Sequence, residues 1–449
     1  MQLSAHQAKH GEVRKPIATT VVSAPVNAHY LDRVLATAQS HEVAASRDIV
    51  AGNGVKLLAK GARIDAGVRA RLLEHKLRRP LEDCVQVVDG VTGARLEAAG
   101  DSLLAMHPLL RAVCSTELAP GAPAALAALP LSMPLLSLLS VYASSEGRLN
   151  HAVGVGMLAL SLARKLVPGD IDRHRLLATA GLVHDVGELY LDPVFLKKGT
   201  RLDPEKWRHI VTHPLVGHLV LKGMQGVSPV VADAVLLHHE RLDGFGYPRG
   251  VIGDAFTLDG QIVAAAEWLM ALIESDSSPL TKARMADRLV PGEFSPEVLA
   301  AISAATREAP DVSLEQSSFP PLADVVPRIV RLADTLRRFD DSRAWIDERI
   351  LGAGPALRSV LQTGLQRTLR IQASFSSTGL AAHNAEQLLC DSAALEDPHV
   401  HAEITTLVSE LEWRMRELER NQRLRASVLP VPERAVIEDL IGRLKEARE

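Results

Sequence analysis

Apolar and polar positions along this chain follow two spacings, a short alternating one near the start and a helical one over most of the rest. Between residues 46 and 61, two short apolar runs flank Gly52-Asn53-Gly54, which predicts a β-hairpin. From Ile64 to Leu77 the spacing becomes helical, with Asp65 as N-cap and Leu72, Leu73 and Leu77 on the apolar side. Later stretches carry polar residues at the inward positions of apolar stripes. His151 shares a face with Val155, Leu158 and Leu162; His238 follows Val231 and Val235, with His239 beside it; Glu267 lies between Val263 and Met270. His213-Pro214 and Ser228-Pro229 each read as the start of a helix with Pro in its first turn. Residues 402–426 place Ile404, Leu407, Leu411, Met415 and Leu418 on one side, about two heptads of a coiled-coil-like seam. That seam predicts either a helix packed on its own subunit or a homodimer contact.

The pattern divides the chain into three regions. Residues 1–117 predict a small α+β accessory module, hairpin plus helix, behind a loose tail over residues 1–28. Residues 118–310 predict a succession of helices with short breaks. Residues 311–449 open on the Pro-rich Phe319-Pro320-Pro321 and continue as a helical region. No internal repeat is apparent, and 449 residues suit roughly two to four domains. The uncharged run between Glu117 and Glu146 is long enough to cross a bilayer, but Pro123, Pro130 and Pro134 interrupt it, so it reads as buried helices at a domain start. The apolar stretch after Arg14 and Lys15 is broken by Thr19, Thr20 and Ser23 and makes no convincing signal peptide. A cytoplasmic protein without a membrane span is the expectation.

Composition sharpens this picture. The chain is 47% hydrophobic but only 3% aromatic, so its core must be aliphatic, which suits an all-α architecture. The balance of 50 Lys+Arg against 54 Asp+Glu leaves a net charge of −4 and argues against a broad basic surface for polymeric nucleic acid. Cys84, Cys114 and Cys390 are odd in number and far apart, so no disulfide framework is expected.

Histidine placement points to chemistry. Eight of the 17 histidines fall within residues 151–240, a fifth of the chain. His174, His209 and His218 read as ordinary hydrogen-bonded residues. His151, His184, His213, His238 and His239, with Asp185 directly after His184, would make a costly core unless something binds them. Nitrogen and oxygen donors of this kind suit Fe, Mn, Zn or Ni, and the lack of thiolates argues against structural zinc. Two metals can generate a nucleophile from water and take up charge on a phosphodiester, and no serine or cysteine nucleophile is evident.

These residues carry a family resemblance. HHERLDGFGYPRG, from His238 to Gly250, resembles the HD-GYP signature HHExxDGxGYPxG at all nine fixed positions. GLVHDVGELYL resembles the HD motif of the wider HD phosphohydrolase superfamily, His213-Pro214-Leu215-Val216-Gly217 resembles HPxxG, and residues 292–302 resemble the end of the domain. The resemblance covers about residues 140–305. It implies an HD-domain helical bundle with the HD-GYP extension, and hydrolysis of the bacterial second messenger cyclic di-GMP to pGpG or GMP. It also implies two or three divalent metals, commonly Fe or Mn. Asp185 would bridge two of them, His151, His184 and Glu267 completing one site and His213, His238 and His239 the other. The loop containing Asp243, Gly244, Gly246, Tyr247 and Pro248 would lie beside the site, and the family's GYP segment is linked to docking of GGDEF-domain cyclases.

This chain departs from the pattern in places. Glu188 stands where the family's HDxGK has lysine, which reverses a charge near the scissile phosphate. It is a candidate for a catalytic role or for an additional metal. Glu267 replaces an Asp, and Ser278-Pro279-Leu280-Thr281 replaces an RPYR-like segment. Some members have Glu four residues before the first histidine, where this chain has Gly147, with Glu146 one place off. These departures motivate an alternative: a non-catalytic HD-GYP module acting as a nucleotide sensor or interaction scaffold.

Overall fold

The computed structural model describes residues 25–115, 120–196, 203–275, 278–289, 292–307, 309, 320–377 and 398–445. Most of the expected N-terminal tail, Glu117, Phe319 and Cys390 lie outside them. Cys84 and Cys114 are buried free cysteines.

The N-terminal part contains α1 (Ala28–Thr37), β1 (Val43–Ala45), β2 (Ile49–Val50), β3 (Lys56–Leu58), α2 (Arg69–Leu73) and β4 (Val85–Val87). β2 and β3 form the hairpin around Gly52-Asn53-Gly54, with Gly54 at φ 94°, a left-handed conformation that suits glycine. β1 pairs antiparallel with β4, Val43 opposite Val87. The helix expected from Ile64 to Leu77 is shorter. Asp65 does cap, accepting from the Gly67 N–H at 2.9 Å, but α2 ends at Leu73. Beyond it the backbone pairs with the hairpin instead: Gly52 N–H donates to Lys76 O at 2.7 Å and Arg78 N–H to Val50 O at 2.9 Å. Those ladder bonds replace a further helical turn.

The middle is helical: α3 (Gly93–Met106), α4 (Pro108–Cys114), α5 (Ala122–Ala127), α6 (Met133–Ala143), α7 (Arg148–Leu166), α8 (Ile171–Val183), α9 (Pro204–Ile210), α10 (His213–Gly223), α11 (Pro229–Leu237), α12 (Leu258–Ser275), α13 (Pro279–Arg284), α14 (Ala286–Leu289) and α15 (Pro296–Thr306). The uncharged run becomes two short helices, α5 and α6. Pro123 and Pro134 sit in their first turns and Pro130 lies between them. Among the described residues no helix is long and apolar enough to cross a membrane. α7 is the central rod; Val155, Leu158 and Leu162 are fully buried against α8 and α12, and α11 packs on α8, α10 and α12.

The C-terminal part holds α16 (Leu322–Asp341), α17 (Arg343–Gly352), α18 (Pro355–Ser377), α19 (Pro398–Ala426) and α20 (Val431–Lys445). The heptad-like stripe of α19 is covered by its own chain: Ile404, Leu407, Leu411, Met415 and Leu418 belong to the apolar cluster that fills the middle part. A second cluster around Phe339, Ile346, Leu361, Ile437 and Leu440 holds the far end. The N-terminal part joins the same main core. Tyr30 stacks on Tyr190 with ring centroids 5.0 Å apart, and the Tyr190 hydroxyl donates to Glu82 at 2.5 Å.

Candidate metal centre

Five helices and one turn deliver their ends to one place. His151 lies in the first turn of α7, and His184 caps the C-terminus of α8. Asp185 then opens a 3₁₀ turn over Val186–Tyr190 that carries Glu188. His213 is the first residue of α10, His238 caps α11 with His239 next, and Glu267 projects from within α12. The inward-face expectation thus holds for His151 and Glu267, whereas most of the other donors sit where helices stop. The turn reaches α10 because residue 187 is glycine. A Cβ there would lie 2.0 Å from His213 O and 2.7 Å from the Gly217 N–H nitrogen, which ties the HD and HPxxG segments together sterically.

Asp185 stands at the middle. Its Oδ1 is 3.2 Å from His213 Nε2 and 3.5 Å from His238 Nε2. Its Oδ2 is 3.5 Å from His184 Nε2 and 3.7 Å from His151 Nε2. Glu267 Oε2 lies 3.2 Å from His151 Nε2 and 3.3 Å from His184 Nε2. Two donor groups result, Asp185 with His213, His238 and His239, and Asp185 with His151 and His184, each with donor atoms within 4.8 Å of one another.

Tautomers decide what these groups can hold. His184, His213 and His238 each place Nδ1 at 2.6 to 2.7 Å from a backbone carbonyl, of Gly181, Ile210 and Val235 respectively. His151 Nδ1 is 2.9 Å from a Glu274 carboxylate oxygen. Those oxygens only accept, so Nδ1 carries the hydrogen and each neutral ring turns its Nε2 lone pair inward. The lone pairs then face one another, His151 to His184 at 3.1 Å and His213 to His238 at 3.0 Å. Glu267 Oε2 is buried without a hydrogen-bond donor among the described residues. Facing lone pairs and orphaned carboxylate oxygens repel unless positive charge lies between them, so the donors present fit divalent cations.

Without metal, protons supply part of that positive charge. Burial opposes charge on His151, yet Glu267, Glu274 and Asp185 hold that ring up at about 11, and Asp185 raises His184 and His213 against the same burial, so a cation binding there displaces protons. Burial also opposes ionisation of Asp185, but His184, His213 and His238 hold it well below the usual carboxylate range. Glu267 is held low by His151 and His184 against the same burial. Burial, reinforced by neighbouring histidines, pushes His238 down to about 4 and holds His239 well below the ordinary imidazole value. The centre therefore draws positive charge, and protons have no room to supply it evenly.

Two residues absent from the sequence reading complete the site. The Tyr142 hydroxyl donates to Asp185 Oδ2 at 3.2 Å and accepts from Arg148 Nη1 at 3.0 Å. Arg148 Nη1 also lies 2.5 Å from Glu188 Oε2 and 3.5 Å from Asp185 Oδ2. Glu188 is thus ion-paired, although burial and the Asp185 charge raise its carboxyl above the ordinary value.

The loop after His239 folds back over the centre. Glu240 is fully buried, and its carboxylate accepts the backbone N–H groups of Arg249, Gly250 and Val251 at 2.6 to 3.2 Å. Tyr247 stacks on His239 at 4.6 Å, with Trp207 edge-on to it at 5.2 Å. Gly244 and Gly246 are buried within this loop, while Asp243 faces the C-terminal helices. Of the background histidines, His174 meets Val167 O at 2.8 Å, His218 meets Ala232 O at 3.1 Å, and His209 stacks on Phe195. A cavity of about 890 Å³ among α16, α18, α19 and α20 is lined by none of the centre's residues.

Comparison with known proteins points the same way. The family model of the HD domain matches residues 131–289. A cyclic di-GMP phosphodiesterase of Pseudomonas aeruginosa is 38% identical over 135 residues, 30% of this chain and 32% of that protein. A 3'3'-cGAMP-specific phosphodiesterase of Vibrio cholerae is 34% identical over 145 residues, 32% of this chain and 33% of that protein. A cyclic di-GMP phosphodiesterase of Thermotoga maritima is 31% identical over 189 residues, 40% of this chain and 50% of that protein. The chain spans a third to a half of the length of these relatives.

Proposed function

We propose, from the match of residues 131–289 to the HD-domain family model and from the HD-GYP-like signature at 238–250, that the protein hydrolyses the phosphodiester bonds of cyclic di-GMP to pGpG or GMP on two divalent metal ions, Fe or Mn. The observation that carries the proposal is the division of Asp185, one oxygen toward His213 and His238, the other toward His184 and His151. In this reading His151, His184 and Glu267 would hold one metal, His213, His238 and His239 would hold the other, and Asp185 would serve both. When bound, the metals would activate water and withdraw charge from the phosphate.

The chain's own groups supply the rest. Tyr142 orients Asp185 through its hydroxyl, and the four Nδ1–H bonds fix the histidine rings before metal arrives. Arg148 offers a guanidinium beside the centre, able to meet a non-bridging phosphate oxygen as charge builds there. It answers the charge reversal at Glu188, one of the departures that motivate a binding-only module. Glu188 then serves to hold Arg148 rather than to bind a third metal. Tyr247 covers His239 and helps exclude water from that side. We assign the chemistry to the region 118–310, with residues 1–117 and 311–449 as accessory regions. A GGDEF-type partner would meet the loop's exposed edge at Arg249 and Ile252.

The test is direct. Purified full chain is loaded with Fe(II) or Mn(II) under reducing conditions and given cyclic di-GMP or 3'3'-cGAMP in separate reactions. Linear pGpG or GMP from cyclic di-GMP is expected, and it should vanish with His184→Ala plus Asp185→Ala. Cleavage of 3'3'-cGAMP alone would reassign the substrate. Binding of either nucleotide without product would favour the sensor reading.

A further inference from the structure

The C-terminal helices reach the metal centre through the loop that covers it. Arg425 of α19 donates through Nη2 to Phe245 O at 2.7 Å and to Gly246 O at 2.8 Å, immediately before Tyr247. Its guanidinium lies 5.4 Å from the Phe245 ring centroid, and that of Arg367 of α18 lies 4.7 Å from the same centroid. Arg367 Nη1 donates to Asp243 Oδ2 at 2.7 Å, and its Nη2 is 2.5 Å from Glu293 Oε1. Glu293 also pairs with Arg414 of α19, and its backbone carbonyl accepts from Leu242 N–H at 2.9 Å. Asp243, Glu293, Arg367 and Arg414 are nearly closed to solvent. From the other side, Tyr247 N–H donates to His239 O at 3.1 Å while its ring lies on the His239 imidazole.

We infer that Arg425 and Arg367 are positioning residues: they fix the Asp243–Gly246 segment from outside so that Tyr247 stays seated on His239. The inference rests on the phosphodiesterase reading for its kinetic consequence only. Arg425 touches nothing that reacts; it acts through two carbonyls and one ring. The two hydrogens of one guanidinium nitrogen hold two successive carbonyls while the rest of the plane lies by the Phe245 ring, a combination that a lysine ammonium, with no plane to lay on the ring, does not reproduce. The C-terminal region thereby becomes part of the working enzyme, since movement of α18 or α19 is transmitted to Tyr247.

The test uses the full chain loaded with Mn(II). Arg425→Ala is expected to lower kcat about tenfold or more, with bound metal per chain and Tm close to wild type, since small displacements near a reacting centre are expensive. Arg425→Lys should recover only part of the loss. In a double-mutant cycle with Tyr247→Ala the two effects should be markedly less than additive. Amide hydrogen exchange over residues 240–250 should quicken in Arg425→Ala, a readout that needs no turnover. Arg423→Ala, on the same helix as Arg425, removes exposed pairs with Glu419 of α19 and Glu438 of α20 and is the control that should leave exchange and kcat unchanged. If the wild-type chain cleaves neither cyclic dinucleotide, the phosphodiesterase reading fails while the exchange result still judges the clamp. Unchanged exchange over 240–250 in Arg425→Ala, or fully additive effects with Tyr247→Ala, overturns the inference.

Discussion

Arg148 Nη1 and Glu188 Oε2 meet at 2.5 Å, from the first turn of α7 and from the turn that follows Asp185. The relationship changes the meaning of Glu188. By motif alone, an anion replaces a lysine beside a phosphate site. In the fold, a guanidinium stands next to that anion and within 3.5 Å of Asp185, so the local cation is moved rather than lost. Arg148→Ala should therefore lower kcat on cyclic di-GMP by about one hundredfold with metal content retained, the scale of losing one transition-state donor. Steady-state kinetics with metal analysis checks this.

Glu188→Gln separates two roles for that residue. As the partner of Arg148, it should keep the wild-type metal stoichiometry while activity falls. Loss of one metal per chain on elemental analysis would instead make Glu188 a ligand.

Gly187→Ala should be the most damaging single methyl in the site. The added Cβ meets the His213 carbonyl oxygen at 2.0 Å, and backbone on both sides must move. A cost of about 1–3 kcal/mol is expected, together with weaker metal retention, because His213 is carried by that backbone. Denaturant unfolding and elemental analysis read both effects.

Metal removal should destabilise the chain. Chelation returns the inward lone pairs to mutual repulsion and withdraws the linkage energy of bound ions, about 4 kcal/mol where free metal exceeds Kd a thousandfold. A lower Tm on chelation, restored by Mn(II), is the expected result. The His184→Ala plus Asp185→Ala variant should lose most of that response.

Acid should loosen the attachment of the C-terminal helices. Burial works against the Glu293 charge, but Arg367, Arg414 and Arg241 hold its carboxyl down at about 2, against an ordinary value of 4.5. A carboxyl depressed on folding gives stability that is complete above its unfolded pKa and is lost as pH falls through the folded one. The loss should run from about pH 4.5 to pH 2 and amount to roughly 3 kcal/mol at most. Glu293→Gln should be less stable at neutral pH and flatter across that window in chemical unfolding followed by circular dichroism.

The sequence by itself marked the side chains that the fold gathers around Asp185. His151, His184, Asp185, His213, His238 and His239 sit in local patterns, and helix ends, Pro in first turns and the HHExxDGxGYPxG spacing are properties of short segments. The helical class followed from an aliphatic composition for the same reason. Tertiary structure decided what no segment contains. Three of the Nδ1 partners are carbonyls three residues back in the same segment, but the His151 partner Glu274 lies 123 residues away, and the meeting of the four Nε2 atoms around Asp185 exists only in the fold. The cation beside Glu188 comes from forty residues away, and the grip on Asp243 and Phe245 comes from more than a hundred residues downstream. The heptad-like stripe of α19 shows the converse. Its apolar spacing was plain, but spacing alone does not name the surface that covers it, and here that surface is the chain's own core. Local pattern records which face is buried, whereas charge compensation and burial partners are pairwise properties that exist only once distant segments have come together.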